Sequence, residues 1–281
     1  LNSLRQLTLG YTSYSTDHNT RLMPGYLSIS LVNSLNIRAR TQHGEIVPAA
    51  ETRSYVWRLS PYLDHQWSTM LNDYKDEQIA GDATAAVEDG IYGPNDVEFD
   101  PQEHFPVSSQ PSFGMNSIYV GGDAVHGGDA VVELNPFDGA AVTDPNLDVI
   151  AATRMSEVTN PSKLIVFGSA ARQGNGDYAP YATEEQIGYA ELRAPYTIYD
   201  PSASEFTNQQ WDIGNKKQVV AGVDADLATD GGLPVMRWSD DLLPVANLDG
   251  STEAADIGAL SEDMRRWAWQ ETGLSAPAMN P

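Results

Sequence analysis

Cysteine and long apolar runs are both missing from this 281-residue sequence. Without cysteine there are no disulfides, thiol nucleophiles or thiolate metal sites. Without a run of about 20 apolar residues, the sequence given contains no ordinary membrane-spanning helix. The motifs G-x-S-x-G, H-E-x-x-H and the Walker loop are absent too, and no two of the five histidines are spaced four apart. These absences argue against most nucleophilic, zinc-dependent and nucleotide-dependent enzymes.

Positive charge is scarce. There are 16 basic residues against 39 acidic ones, which gives a net charge of -23, and only four of the basic residues are lysines. So acidic a chain repels nucleic-acid phosphates and anionic lipid, so neither is expected as a partner. Acid-rich, lysine-poor surfaces stay soluble at high ionic strength. Two sources fit this composition, a marine or salt-loving organism and an ordinary acidic secreted protein.

The length and the 41% content of hydrophobic residues describe a globular protein of one large domain or two small ones. The opening stretch, LNSLRQLTLGYTSY, predicts a helix whose apolar residues recur at steps of three and four. The residues of this stripe are Leu1, Leu4, Leu7, Tyr11 and Tyr14. The polar segment STDHNTRLMPG ends the helix.

The rest of the chain predicts short helices and several strands. Residues 52–64, 67–81 and 261–273 are helix candidates, and 26–40 is either a strand or a buried strand-like connection. Residues 147–155, 162–170, 187–199 and 243–250 are strand candidates. Residues 82–149 are rich in Gly, Pro, Asp and Asn and are expected to form a long loop-rich insertion. This order predicts an α+β fold in which antiparallel strands pack on one long helix.

Several segments together resemble type IV pilin-like proteins and pseudopilins, in particular the large planctomycete-type subgroup of prepilin-type proteins with a C-terminal Asp-Gly motif. In that subgroup a conserved stretch follows the apolar half of the N-terminal helix. The residues that match it here are Asn2, Leu4, Arg5, Gln6, Leu7, Leu9, Tyr14, Asp17, Asn19 and Pro24.

Four further segments match the same family in the same order. They are YVWRLSPYLD, PSFGMNSIYVGG, the PSKLIVF strand and the closing turn with Asp249 and Gly250. The sequence departs from the family pattern at Ser239 and Ser251, where the family has histidine, and at Ser169, where it has aspartate. No role is carried over to those three side chains.

The resemblance implies a type IV pilin-like fold. Residues 1–20 would be the C-terminal half of the pilin-type helix, its apolar half lying before Leu1, and residues 21–281 the globular domain. The chain would be a structural subunit, not an enzyme, in an extracellular or cell-surface filament of copies of itself or related pilins. Its precursor would sit in the inner membrane through the absent N-terminal helix and be processed by a prepilin peptidase.

Calcium is the expected cofactor, if there is one, because hard cations bind several oxygen ligands on a loop. The candidate ligands are Asp123, Asp129, Asp138 and Asp144, in a segment without EF-hand spacing. The alternative for this segment is a solvated acidic loop. The alternative function for the chain is a secreted calcium-dependent carbohydrate-binding or adhesion module. An acidic hydrolase is a third hypothesis, since carboxylate pairs are abundant but nothing selects one.

Overall fold

The structure is a computed structural model. It describes residues 1–27, 29–34, 36–40, 44, 46–66, 69–70, 111–122, 133–134, 141–142, 151–172, 187–188, 190–200, 205–209, 211–212, 220–221, 231–234 and 242–268.

The described helices include one long element and four short ones. They are α1 (Asn2–Asp17), α2 (Ile29–Ser34), α3 (Ala49–Thr52), α4 (Tyr55–Leu59) and α5 (Ile257–Glu262). Single 3-10 turns cover Ser60–Leu63, Met155–Glu157 and Met264–Arg266.

Two of the predicted helices agree with these bounds and two predictions need correction. Helix α1 coincides with the predicted N-terminal helix, and α4 with the following 3-10 turn lies inside 52–64. Residues 29–34, in the segment 26–40 that was predicted as a strand or a buried strand-like connection, form α2 instead. The C-terminal helix begins earlier than predicted, because Asp256 caps α5 by accepting a hydrogen bond from the Ala259 amide.

Twelve strands are described. They are β1 (Phe113–Met115), β2 (Glu133–Leu134), β3 (Ala141–Val142), β4 (Ile165–Arg172), β5 (Ile187–Gly188), β6 (Tyr196–Asp200), β7 (Glu205–Gln209), β8 (Trp211–Asp212), β9 (Val220–Ala221), β10 (Gly231–Pro234), β11 (Leu242–Asn247) and β12 (Thr252–Asp256).

Strand β4 is the centre of a six-stranded sheet. Strands β1 and β11 pair with it, β12 pairs with β11, and β5 and β10 pair with the C-terminal end of β4. All of these pairings are antiparallel. The remaining strands form three two-stranded ribbons, β2–β3, β6–β7 and β8–β9. The chain is therefore an α+β protein built around an antiparallel sheet, as predicted from the order of its elements.

Two clusters of buried side chains cover the two faces of this sheet. Along β11 and the turn that follows it, Ala246 and Leu248 belong to the first cluster, and Leu243 and Val245 to the second. Since successive side chains of a strand point to opposite faces, the clusters lie on opposite sides. The first cluster contains the buried residues of α1 and α4, and the second those of α5, with Trp211 and Trp267 packed edge to face at 5.2 Å.

Residues 111–122 are an exception within the predicted loop-rich insertion over 82–149, most of which lies outside the described residues. They are described, almost all are buried, and they contribute strand β1 to the sheet. The Gly25 amide donates to the Gly122 carbonyl at 3.0 Å, and the Gly121 amide donates to Ala152. Gly121 has a φ of +75°, and a Cβ there would overlap the Met23 carbonyl oxygen. Glycine richness here marks close backbone packing rather than a surface loop.

Candidate assembly surface

The side of α1 that faces the sheet is a closed apolar contact. Leu4, Leu7 and Tyr11 are fully buried in the first cluster. The Tyr11 ring meets the Phe167 ring of β4 edge to face, with 5.6 Å between ring centroids. The Tyr11 hydroxyl donates to the Met23 carbonyl at 3.0 Å, which satisfies its polar end. Burial raises the pKa of Tyr11 well above its ordinary value, so the hydroxyl keeps its proton and its role as donor.

The C-terminal end of α1 carries an aromatic cluster. The Tyr14 ring stacks on His18 with 3.9 Å between centroids and meets Tyr62 edge to face at 5.6 Å. His18 places Nδ1 2.8 Å from the Tyr14 carbonyl oxygen, so its ring also satisfies a helix-end acceptor. Tyr14 is only partly buried, and it joins the helix to the 3-10 turn beside it.

One flank of α1 is covered by the chain that follows this turn. A Cβ on Gly10 would lie 2.8 Å from the Leu63 side chain, so glycine permits close contact there. Farther toward the helix start, the Thr69 hydroxyl donates to the Gln6 side-chain oxygen at 3.1 Å. Leu63 and Thr69 thus lie along one flank of the helix in the direction opposite to that of α1, and among the described elements this turn covers that flank.

The uncovered side of α1 combines exposed leucine with little charge. Leu1 is 53% exposed and Leu9 is 55% exposed. The sequence of α1 contains only two charged residues, Arg5 and Asp17, whose charges cancel. The hydroxyls at the C-terminal half of this side donate to carbonyls four residues earlier, from Thr12 to Thr8, Ser13 to Leu9 and Thr16 to Thr12. We call this side, made of Leu1, Arg5, Leu9, Ser13 and Thr16, the open face.

On the open face the Ser13 and Thr16 hydroxyls donate to backbone carbonyls of the same helix, so these protons need no acceptor from water. At about 100° per residue, Leu9 lies roughly 160° from Tyr11 around the helix axis, almost opposite the buried stripe. Leu9 is therefore an exposed apolar side chain on the side of α1 away from the sheet, one helical turn after Arg5.

The structure therefore buries most of the predicted packing stripe but not all of it. Leu4, Leu7 and Tyr11 are buried and Tyr14 is partly buried, whereas Leu1 lies before the first helical residue and is exposed. At about 100° per residue, Leu1 falls roughly 80° from Tyr11, at the margin of the stripe. Leu9 was missed as a candidate, although its position off the apolar stripe was the sequence feature that could have identified it.

The predicted Asp-Gly turn joins β11 to β12. The Asp249 carboxylate accepts from the Ser251 amide at 2.9 Å and from the Ser251 hydroxyl at 2.6 Å. Gly250 has a φ of +89°, a conformation that favours glycine. The Asp249 amide donates to the Pro161 carbonyl and attaches the turn to the neighbouring loop. These contacts give both residues a structural role in a β-hairpin.

The four candidate calcium ligands, Asp123, Asp129, Asp138 and Asp144, lie outside the described residues. Within the described ranges, no group of three or more histidine, aspartate or glutamate side chains is placed to hold a metal ion. In the same ranges, no helix has both the length and the apolar character needed to cross a bilayer.

Comparisons with protein-family models, with curated proteins and with solved structures found no match. Any function must therefore be argued from the residues and their geometry.

Proposed function

We propose that this chain is a structural subunit of an extracellular filament of the type IV pilus or type II secretion pseudopilus kind, assembling through α1. The observation that carries the proposal is the division of α1 into two sides. One side is buried against the sheet, and the open face presents Leu1 and Leu9 to solvent. The resemblance of the sequence to type IV pilin-like proteins supports the same conclusion. On the same ground we propose that the fold is pilin-like.

The low charge of α1 supports its role as the contact between subunits. A chain with a net charge of -23 repels its copies over most of its surface. The open face carries one charged side chain, Arg5, and no carboxylate, so two such faces meet with little repulsion and bury leucine side chains. The gain is about 25 cal/mol for each Å² of apolar surface removed from water.

The proposal extends beyond the globular part. An apolar helical segment preceding Leu1 would anchor a precursor in the inner membrane and later pack in the filament core, and a prepilin peptidase would remove the leader. In this role the chain acts through assembly and not through catalysis, and its partners are copies of itself or related pilins at the cell surface.

Reading the gene upstream of Leu1 tests the anchoring part of the proposal. We expect a short basic leader followed by about 20 apolar residues with a glutamate near their start. A secretory signal peptide that ends directly at Leu1 would contradict it.

The assembly part is tested by Leu9→Glu in the full-length precursor, expressed in its native cells. The substitution places a charge on the open face without touching the buried stripe, so we expect normal folding but filament numbers reduced about tenfold or more in electron micrographs. Leu9→Met keeps the apolar contact and Thr159→Glu adds the same charge at an exposed loop, and both should assemble normally. Filaments of Leu9→Glu as abundant as those of wild type would refute an assembly role for the open face.

A further inference from the structure

The charges of this chain are separated along its sequence. Residues 1–63 contain six arginines and three acidic residues, a net charge of +3. The other 218 residues contain 10 basic and 36 acidic residues, a net charge of -26. The chain therefore has a basic N-terminal quarter and a strongly acidic remainder, and electrostatics favours contact between the first part of one copy and the second part of another.

Some of these arginines are used inside the fold. The Arg53 Nε donates to the Leu27 carbonyl at 2.9 Å, and its guanidinium lies 4.4 Å from the centre of the Tyr26 ring. Arg58 donates to the carbonyls of Pro24 and Gly25. These two side chains hold the segment that follows α1 and are not available to a partner.

Arg38 and Arg40 point outward instead. Both are exposed, and Ala39 between them is buried, so the two guanidiniums share the outer side of an extended segment. Arg40 pairs in an antiparallel bridge with Ile46, which is 55% exposed. Cross-strand partners lie on the same side, so two positive charges flank an exposed aliphatic side chain. We call Arg38, Arg40 and Ile46 the basic ribbon.

Among the described residues, no carboxylate forms an ion pair with the basic ribbon. Arg40 donates to the Gly44 carbonyl, and neither arginine takes part in a described salt bridge. Two exposed guanidiniums beside an exposed isoleucine match a partner surface that presents carboxylates around an aliphatic side chain.

An acidic surface lies elsewhere on the same chain, along the edge of the sheet, where Leu242 and Asp256 are cross-strand partners on one face and Glu253 lies on the other face of the same strand. Strand β12 pairs only with β11 among the described strands, so no described strand covers its second side. Residues 249–263 contain five acidic residues and no basic one. Glu253, Asp256 and Glu262 are exposed there, and Leu242, opposite Asp256 on β11, is 37% exposed. We call these three acidic residues and Leu242 the acidic edge.

Part of this charge is already engaged within the molecule. Arg266 pairs with Glu253, and Asp256 caps α5. Glu262 has no ion-pair partner among the described residues, and across 249–263 the acidic charge exceeds what Arg265 and Arg266 neutralise. The acidic edge therefore keeps a net negative charge for a partner.

We infer that the basic ribbon of one copy docks on the acidic edge of a second copy. The two patches differ, so the contact is heterologous and, unless it closes into a ring, it propagates into an open chain. The inference rests on the proposed filament function and adds to it a second contact, away from α1, that fixes which sides of neighbouring subunits meet.

The test is a charge-reversal and rescue experiment on the purified chain at one fixed ionic strength, read by sedimentation. Arg38→Glu with Arg40→Glu, and separately Glu253→Lys with Glu262→Lys, should each weaken self-association about tenfold or more. An equimolar mixture of the two variants should restore it, because each reversed patch then meets a complementary patch on the other variant. Arg154→Glu with Lys163→Glu, at exposed positions outside both patches, controls for the change in net charge and should associate like wild type.

Failure of rescue, or a wild-type chain that stays monomeric at about 1 mM, the effective concentration of a tethered neighbour, overturns the inference. Rescue without filaments from the full-length precursor would support this contact and refute the proposed function. Filaments that form normally from a precursor carrying Arg38→Glu with Arg40→Glu would support the proposed function and refute this contact.

Discussion

Two buried polar side chains, Asn116 and Tyr55, join the layers of this protein, and each donates to the backbone of another segment. Asn116 donates from Nδ2 to the carbonyls of Ile165 and Trp267, both at 2.9 Å, and so ties the central strand to the C-terminal segment. Tyr55 donates to the Phe113 carbonyl from the opposite face. Contacts between residues 49 to 151 positions apart in sequence fix the arrangement of the layers in a way that local propensity does not.

Glu51 is a buried carboxyl group whose hydrogen bonding is incomplete. It is buried, its Oε2 has no hydrogen-bond partner, and burial raises the pKa of its carboxyl above the ordinary value of 4.5. As pH rises above that value, the unfolded chain releases the proton first, so this group favours unfolding progressively up to its raised folded pKa. We expect Glu51→Gln to become more stable relative to wild type as pH rises across this window.

Urea unfolding of wild type and Glu51→Gln between about pH 4 and pH 8 measures this difference. Glu262→Gln, at an exposed carboxylate, controls for the change in net charge. A stability difference that stays constant across the range, or that falls with rising pH, would show that the Glu51 carboxyl is not destabilised by burial.

The elements that could be predicted from sequence are those in which the spacing of apolar residues matches the faces that the fold buries. Helix α1 has one buried stripe, and β4 and β11 are apolar because both of their faces are covered. Helix α2 was missed because its sequence, ISLVNS, is rich in residues that favour strands, and the contacts of α2 with α3 override that propensity. The open face was not predicted because a stripe analysis looks only at the residues on the stripe.

The buried segment 111–122 shows the same limit for glycine. From sequence, Gly121 and Gly122 look like loop residues, whereas in the structure they allow two backbones to touch. Gly121→Ala would combine a positive φ with overlap on the Met23 carbonyl, so we expect a loss of about 4 kcal/mol or more in the free energy of unfolding.

Gly250→Ala is the matched control for this substitution. Gly250 also has a positive φ, but nothing lies within 4 Å of the position that its Cβ would take. The control should therefore lose only about 1 kcal/mol, the cost of the backbone conformation. Equal losses for the two variants in chemical denaturation would mean that close approach at Gly121 contributes nothing.

The molecule as a whole carries two electrostatic effects of opposite sign. The basic ribbon and the acidic edge attract locally, while a net charge of -23 on each copy repels everywhere else. The few ion pairs of a ribbon contact, each worth about 0.2–1 kcal/mol when exposed, do not offset so large a net charge once salt is removed. Weaker screening at low salt extends the range of repulsion from about 10 Å at 0.1 M salt to about 30 Å at 0.01 M.

Filament stability should therefore depend on ionic strength or on calcium. Filaments transferred to about 0.01 M salt with a chelator should dissociate, because each subunit then feels the charge of several neighbours. Turbidity and electron microscopy follow the loss. Restoring sodium chloride and, separately, calcium chloride at equal ionic strength distinguishes general screening from bound calcium, since only a specific site makes calcium the more effective salt. Filaments that persist unchanged in low salt with the chelator would show that their contacts outweigh the repulsion between subunits.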